Sequence, residues 1–412
     1  MRKKRLLILG GPAQCKKVVE AAHELGVYVI VMDISPNAKT SKEADETVVI
    51  SLCDYEGILE WCKKNPVDGI INYCVDIAQR TYQKLCDALG MPCFGNKEQY
   101  QTLTDKKLFK ELCIRNGVDV IPDYSVNEVL SGNADFPVLV KPTQSSGSRG
   151  ASICHNVAEV KAAVEKAKGV SLDGKIIIEK YMEGKQDFTV TYIISNGVPV
   201  LVRIGDRYTG KKEDGLNRQC ICCVCPSKFT VNYLNNVDEK VKHMLKSLGI
   251  QNGPVFFQGF IDGDTIRFYD PGFRFSGGDY ERLYKKANGI DIVQETLRFA
   301  LGSGSVKNIA TDGYLLNGMT TIQLAVTARA GKIVVFEGME NICDIPQVVY
   351  FAQRAFVGDE IPQSGDIKQR VAQIGLLVDS NPEIIKSAIK TVYEKLRIED
   401  ENGDMLVSKF SY

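Results

Sequence analysis

Residues 136–150, FPVLVKPTQSSGSRG, carry an apolar stretch to a lysine and then into a run of small hydroxyl and glycine residues. That combination can hold phosphate. Phe136 to Val140 show no polar face at helical spacing, and an apolar run closed by turn residues reads as a buried strand, so Lys141 leaves the sheet at a fixed point. Ser145, Ser146, Gly147, Ser148 and Gly150 offer backbone N–H groups that anionic oxygens can approach closely, because glycine puts no Cβ in the way. A solvated hairpin fits the same composition. Farther along, Asp270 ends an apolar strand and offers the hard oxygen that Mg2+ prefers, while Arg274 presents a planar fork matched to phosphoryl oxygens. A turn aspartate before proline and a surface ion pair are the plain alternatives for these two. Glu179-Lys180-Tyr181-Met182, between an apolar strand and Gly184, has the apolar faces, backbone groups and carboxylate that an adenosine slot needs.

These residues need elements to position them. The first hundred residues alternate strand and helix: strands at Arg5–Leu9, Val27–Met32, Thr47–Ile50 and Gly69–Tyr73, a short one at Pro92-Cys93-Phe94, and helices at 14–25, 54–64 and 77–89. This predicts an open parallel α/β unit. Gly10-Gly11-Pro12 lacks the further spaced glycines of a dinucleotide fingerprint, so Gly10, Gly11 and Asp33 read as turn residues or contacts to a non-nucleotide substrate. A helix opens near Thr104, the expected N-cap, and carries Lys106 in its first turn, where a solvated lysine is the default. Helix 157–168, strands at 175–178 and 187–192, and a hairpin of Val255–Phe260 with Thr265–Phe268 around Asp262-Gly263-Asp264 follow. The connection from Asp206 to Lys228, with Arg207, Lys211, Lys212 and Arg218, reads as a long polar loop that either caps an acceptor site or is simply solvated. Strands at 321–328 and 333–337 and helices at 345–356 and 383–395 predict a C-terminal α+β cap.

Composition narrows the partners. Lysine plus arginine equals aspartate plus glutamate at 51 each, which gives no basic field for nucleic acid or an anionic membrane and favours small molecules. The apolar run Leu6–Leu9 is too short for a signal sequence and no stretch reaches membrane-span length, so a cytoplasmic protein with reduced thiols is expected. Among the 13 cysteines, Cys220, Cys222, Cys223 and Cys225 cluster. They read as packed small residues rather than a zinc site, with strand alternation expected to set Cys223 opposite the other three.

The order of these parts resembles the ATP-grasp superfamily, of the carboxylate–amine ligase type that includes L-amino-acid ligases and relatives of biotin carboxylase and carbamoyl-phosphate synthase. The likeness covers most of the chain. It implies an N-terminal α/β domain at 1–100, an ATP-grasp domain of two α+β subdomains clasping ATP at 101–300, with a small lid-like part at about 120–185, and a C-terminal α+β domain at 301–412. It further implies that Lys106 and Lys141 hold ATP phosphates, that Ser146, Gly147, Ser148 and Gly150 close over them, that Glu179, Lys180, Tyr181 and Met182 frame adenine, and that Asp187 meets the ribose. Asp270 becomes a ligand of Mg2+ or Mn2+, Arg274 and Lys141 the catalytic cations, and Arg274, Ser276, Gly277 and Gly278 the substrate contacts. A homodimer is the family habit.

Two positions depart from the family pattern. Gln258 stands where a metal-binding glutamate is usual, and Gly272 where an asparagine is. Asp270 is then the one clear anionic ligand. The reaction implied is attack of a substrate carboxylate on the γ-phosphoryl of ATP, followed by displacement of phosphate by an amine. Carboxylation or phosphorylation of a metabolite, or nucleotide binding without turnover, stay open beside it.

Overall fold

The computed structural model describes residues 2–143, 150–171, 174–210, 216, 219–365 and 367–412. Arg5–Leu9 is the inner strand of a four-stranded parallel sheet, flanked by Tyr28–Asp33 and Gly69–Ile71, with Glu46–Val49 outside Tyr28–Asp33. Leu6 to Leu9 are fully buried, as a parallel strand covered on both faces requires. Helices Lys16–Glu24 and Tyr55–Lys64 connect strands of this sheet, and Gln79–Leu89 follows the last of them. The strand expected at Pro92-Cys93-Phe94 is not one. Pro92 brings no N–H to a ladder, and the N–H of Phe94 goes to the Tyr82 hydroxyl while its ring stacks on Phe299.

A second, antiparallel sheet runs in the order Asp123–Tyr124, Ile176–Lys180, Val138–Pro142 and Ser152–Cys154. Helix Val157–Val170 covers it, and Val138, Val140, Val160, Ala163, Ala167 and Ile178 form its own small core.

The third sheet has nine strands. Its path is Thr265–Gly272, Asn252–Asp262, Gln186–Ser195, Val198–Thr209, Cys220–Cys225, Met319–Ala328, Arg370–Asp379 and Val348–Gln353, with Val407–Ser408 beside the end of Met319–Ala328. Strands from both sides of position 300 therefore share one ladder. Three expectations are corrected here. The segment 206–228 is not one long loop, since Asp206 and Arg207 lie inside one strand and Cys220–Cys225 is the next; Lys211, Lys212 and Arg218 fall outside the described residues. Residues 345–356 contain a strand, Val348–Gln353, rather than a helix: the β-branched and aromatic run Val348-Val349-Tyr350-Phe351 pairs with Arg370–Asp379, which the sequence reading left unassigned. Finally, Cys225 lies on the same face as Cys223, because strand residues two apart point the same way, and their sulfurs are 3.8 Å apart.

Register places a row of polar groups on one face of this sheet. Asp187 is opposite Arg207, Arg207 opposite Cys223, Cys223 opposite Gln323, Gln323 opposite Gly375 and Gly375 opposite Tyr350. Directly opposed residues project to the same side, so this row crosses six strands on one surface. The neighbouring row starts with Asp270 opposite Gln258 and Gln258 opposite Thr189.

Candidate functional site

Asp105, not Thr104, caps the helix Lys106–Arg115: its carboxylate accepts from the N–H groups of Lys107 and Leu108, while the Thr104 hydroxyl turns back to the Tyr100 carbonyl. The cap fixes Lys106 at the helix start and Lys110 one turn later on the same face. Lys106 reaches toward Asp270, 3.6 Å away, so the start of this helix and the end of the hairpin strand meet. Lys110 is buried and lies 3.1 Å from Glu179, with Asp123 and the Ile121 carbonyl as further partners. Lys141 takes the other oxygen of Glu179. Glu179 itself is 2% exposed. Burial alone would push its carboxyl pKa up, but Lys141 and Lys110 together hold it below the usual range. Burial pulls Lys141 below the usual lysine value, and the charge of nearby Lys106 adds to this against the pull of Glu179. Two lysines thus share one buried glutamate, with Lys106 close to Lys141.

The rest of the hinge is laid out by backbone. The Lys180 N–H bonds to the Pro122 carbonyl and the Tyr181 N–H to that of Pro137, while Met182 is buried. The Lys180 ammonium points away, 3.6 Å from exposed Asp135. Gly150, with φ of +79°, is described, whereas Ser146, Gly147 and Ser148 fall outside the described residues.

On the nine-stranded sheet, Gln258 and Asp270 are direct cross-strand neighbours. The Tyr269 hydroxyl donates to the Gln258 side-chain oxygen at 3.0 Å and also approaches Asp187. Asp187 forms an ion pair with Arg207 at 3.0 Å and is 8% exposed. Burial raises its pKa, with Arg207 opposing. The carboxylate expected to meet a ribose is therefore already occupied by a guanidinium, a phenol and the N–H of Phe188. Gly272, in the row beyond, leaves room for the Phe256 ring: a Cβ there would fall 2.2 Å from it.

Arg274 lies over the Phe256 ring and pairs with Asp76 at 2.7 Å, tying the hairpin's exit to the N-terminal domain. Beyond it, the Ser276 hydroxyl accepts from Arg203, and the Gly278 carbonyl accepts from Gln323 and the Tyr350 hydroxyl. Asp279, at φ of +60°, is held by Lys17 at 2.5 Å and Arg354 at 3.0 Å. Lys17 also reaches Glu281 at 2.7 Å. Burial alone would lower the Lys17 pKa, but the two carboxylates raise it.

Sequence reasoning missed Lys110, Asp123, Asp76, Lys17, Asp279, Arg203 and Gln323. Lys110 had a signal, since it follows Lys106 by four residues in a helix. The pairs Arg274 with Asp76 and Lys17 with Asp279 are separated by 198 and 262 residues, and nothing local announces them.

Residues 134–269, which contain Lys141, the Glu179–Met182 hinge and most of the hairpin, match the sequence profile of the ATP-grasp domain. The chain carries an ATP-grasp domain. The formate-dependent phosphoribosylglycinamide formyltransferase of Bacillus velezensis is 25% identical over 277 residues, covering 64% of this chain and 69% of that protein. The protein of the same name in Bacillus subtilis is 25% identical, over 49% of this chain and 55% of its own length. The fold recurs in an L-amino acid ligase from Bacillus licheniformis, with a TM-score of 0.77 at 17% identity across 98% of this chain and all of that one. It recurs also in the biotin carboxylase domain of 2-oxoglutarate carboxylase from Hydrogenobacter thermophilus, solved with MgADP and bicarbonate, with a TM-score of 0.77 at 19% identity over 97% of this chain and 91% of that one. The fold shared with these structures therefore extends well past residues 134–269. No helix among the described residues is long and apolar enough to cross a membrane.

Proposed function

We propose that this chain is an ATP-dependent ligase that joins a small-molecule carboxylate to an amine through an acyl phosphate, releasing ADP and phosphate. The observation that carries this reading is the meeting of Lys106 with Asp270, which sets the lysine cluster around Glu179 against the hairpin that leads to Arg274. In this reading Lys106, Lys141 and Gly150 face the ATP phosphates, and the backbone of Lys180 to Met182 faces adenine. Glu179 acts chiefly by holding Lys141 in place. Asp187 orients Arg207 and Tyr269, and through Tyr269 the Gln258 amide.

Asp270 and Gln258 give one carboxylate and one amide oxygen side by side, a hard-oxygen set that fits one Mg2+ when phosphate oxygens and water fill the remaining positions. When bound, the ion neutralises phosphate charge. The protein's own part is positioning. Lysines and Arg274 are charge already in place where phosphoryl oxygens develop more of it, so little reorganisation is needed during transfer. Ser276, Gly277 and Gly278 line the acceptor side. The partners are small molecules, and the assembly proposed is a homodimer.

The test is ADP and phosphate release from Mg-ATP against pools of carboxylates and amines, with Lys141→Ala and Asp270→Asn beside the wild type. Release that needs both a carboxylate and an amine, and disappears in both variants, supports the ligase. ATP binding without release in any pool removes it and leaves a nucleotide-binding protein without turnover.

A further inference from the structure

Buried cations around the site are, with few exceptions, matched by carboxylates. Lys110 and Lys141 share Glu179, Lys17 has Asp279 and Glu281, Arg354 has Asp279, Arg207 has Asp187 and Arg274 has Asp76. Arg203 differs. It is 8% exposed, and among the described residues no carboxylate pairs with it. Its partners are the Ser276 hydroxyl at 3.2 Å, the Gln323 side-chain oxygen at 2.5 Å and the Cys223 sulfur at 3.0 Å, with the Tyr280 ring 4.8 Å away. Its Nε is buried without a hydrogen-bond partner. A guanidinium kept out of water without an opposite charge is costly, and the cost falls when an anion binds near it. Immediately above, Gly277 is exposed, and a Cβ placed on it would meet nothing closer than Gln14 at 3.9 Å. The space beside Gly277 is open next to the Ser276 hydroxyl, which Arg203 polarises by donating to its oxygen.

We propose that Arg203, through Ser276 and the Gly277 backbone, seats an anionic group of the acceptor substrate, a carboxylate or a phosphate that takes no part in the bond made. The assignment to an acceptor rests on the ligase reading; the anion seat itself does not. Arg203 is then a binding and specificity residue. Its planar fork keeps Ser276 and Gln323 in register, so the seat stays shaped when empty. The alternative source of negative charge is the thiol pair, since the Cys223 thiol donating to Cys225 and, against burial, the charge of Arg203 bring Cys225 down to about 7.

The experiment compares wild type, Arg203→Met, Arg203→Lys and Cys225→Ser, each with MgADP present, and follows the thermal midpoint as acetate or methylphosphonate is added. Calorimetric MgADP affinity within twofold of wild type in every variant checks the nucleotide site. The expected result is a rise in midpoint with one or both probes in wild type and Cys225→Ser, lost in Arg203→Met and reduced in Arg203→Lys. Acetate alone points to a carboxylate and methylphosphonate alone to a phosphate. No response in wild type, an equal response in Arg203→Met, or loss of the response in Cys225→Ser overturns the proposal. If Arg203→Met does not fold, Arg203→Lys is read alone, and a wild-type response there overturns it. Absence of ligase turnover in the pools above leaves this binding result standing, so the two failures are distinct.

Discussion

Around Glu179 each buried lysine shares a carboxylate, whereas beside Ser276 Arg203 meets a hydroxyl, an amide oxygen and a thiol. Both regions bury positive charge near a site that must receive anions, but they differ in what removing one member exposes. In the balanced cluster, taking away the carboxylate leaves Lys141 without an ion-pair partner and Lys110 with Asp123 alone among the described residues. At Arg203 the charge is already unbalanced, and removing it relieves a cost while emptying a seat. Balanced burial serves the architecture, and the unbalanced charge at Arg203 is what the proposed anion seat would use.

The largest expected effect follows from this contrast. Glu179→Ala leaves Lys110 and Lys141 without their shared partner and should cost about 3–5 kcal/mol of unfolding free energy in urea. A loss below about 1 kcal/mol would show that water already reaches the cluster. The pH dependence has a defined sign. Because the folded pKa of Glu179 lies below its unfolded value of about 4.3, its contribution is complete above that pH and disappears as the pH falls through the lower folded value. Unfolding midpoints measured between about pH 3 and 6 should therefore lose an acid limb in the variant.

Arg274→Ala sharpens the comparison from the side of catalysis. With its ion pair to Asp76 and its place just before the proposed acceptor residues Ser276 to Gly278, it should lower turnover about 100-fold while calorimetric ADP affinity stays the same. Equal loss of ADP affinity would move Arg274 into the nucleotide site. The smallest effect concerns the helix that presents Lys106. Asp105→Ala should cost about 1 kcal/mol through the lost cap, and Thr104→Ala less than about 0.5 kcal/mol, by chemical denaturation. The reverse order would return the cap to Thr104.

The N-terminal sheet was readable because its inner strands are buried on both faces and announce themselves as apolar runs between turn signals, Leu6–Leu9 above all. The strand to Lys141 and the second strand of the hairpin to Asp270 bury alternate residues, and they were readable as apolar stretches between turn residues. Residues 345–356 were misread because helix and strand are both available to a short apolar stretch, and pairing with Arg370–Asp379 decided between them. The cap went to Asp105 because two neighbouring residues both accept hydrogen bonds well, and only the chain's entry angle selects one.

The sequence by itself determined which groups are present, namely the lysines, the hinge, the lone carboxylate Asp270 with Gln258 opposite, and the order that marks an ATP-grasp domain. Those are local matters, carried by residue type and by periods of two or about four residues. Only the tertiary structure decided which charges share a partner. Glu179 serves two lysines, Asp76 holds Arg274 and Arg203 is left without a carboxylate among the described residues because sheet register and packing bring together residues from distant parts of the chain. Coulomb energy depends on separation in space and on exclusion of water, and neither quantity is written along the chain.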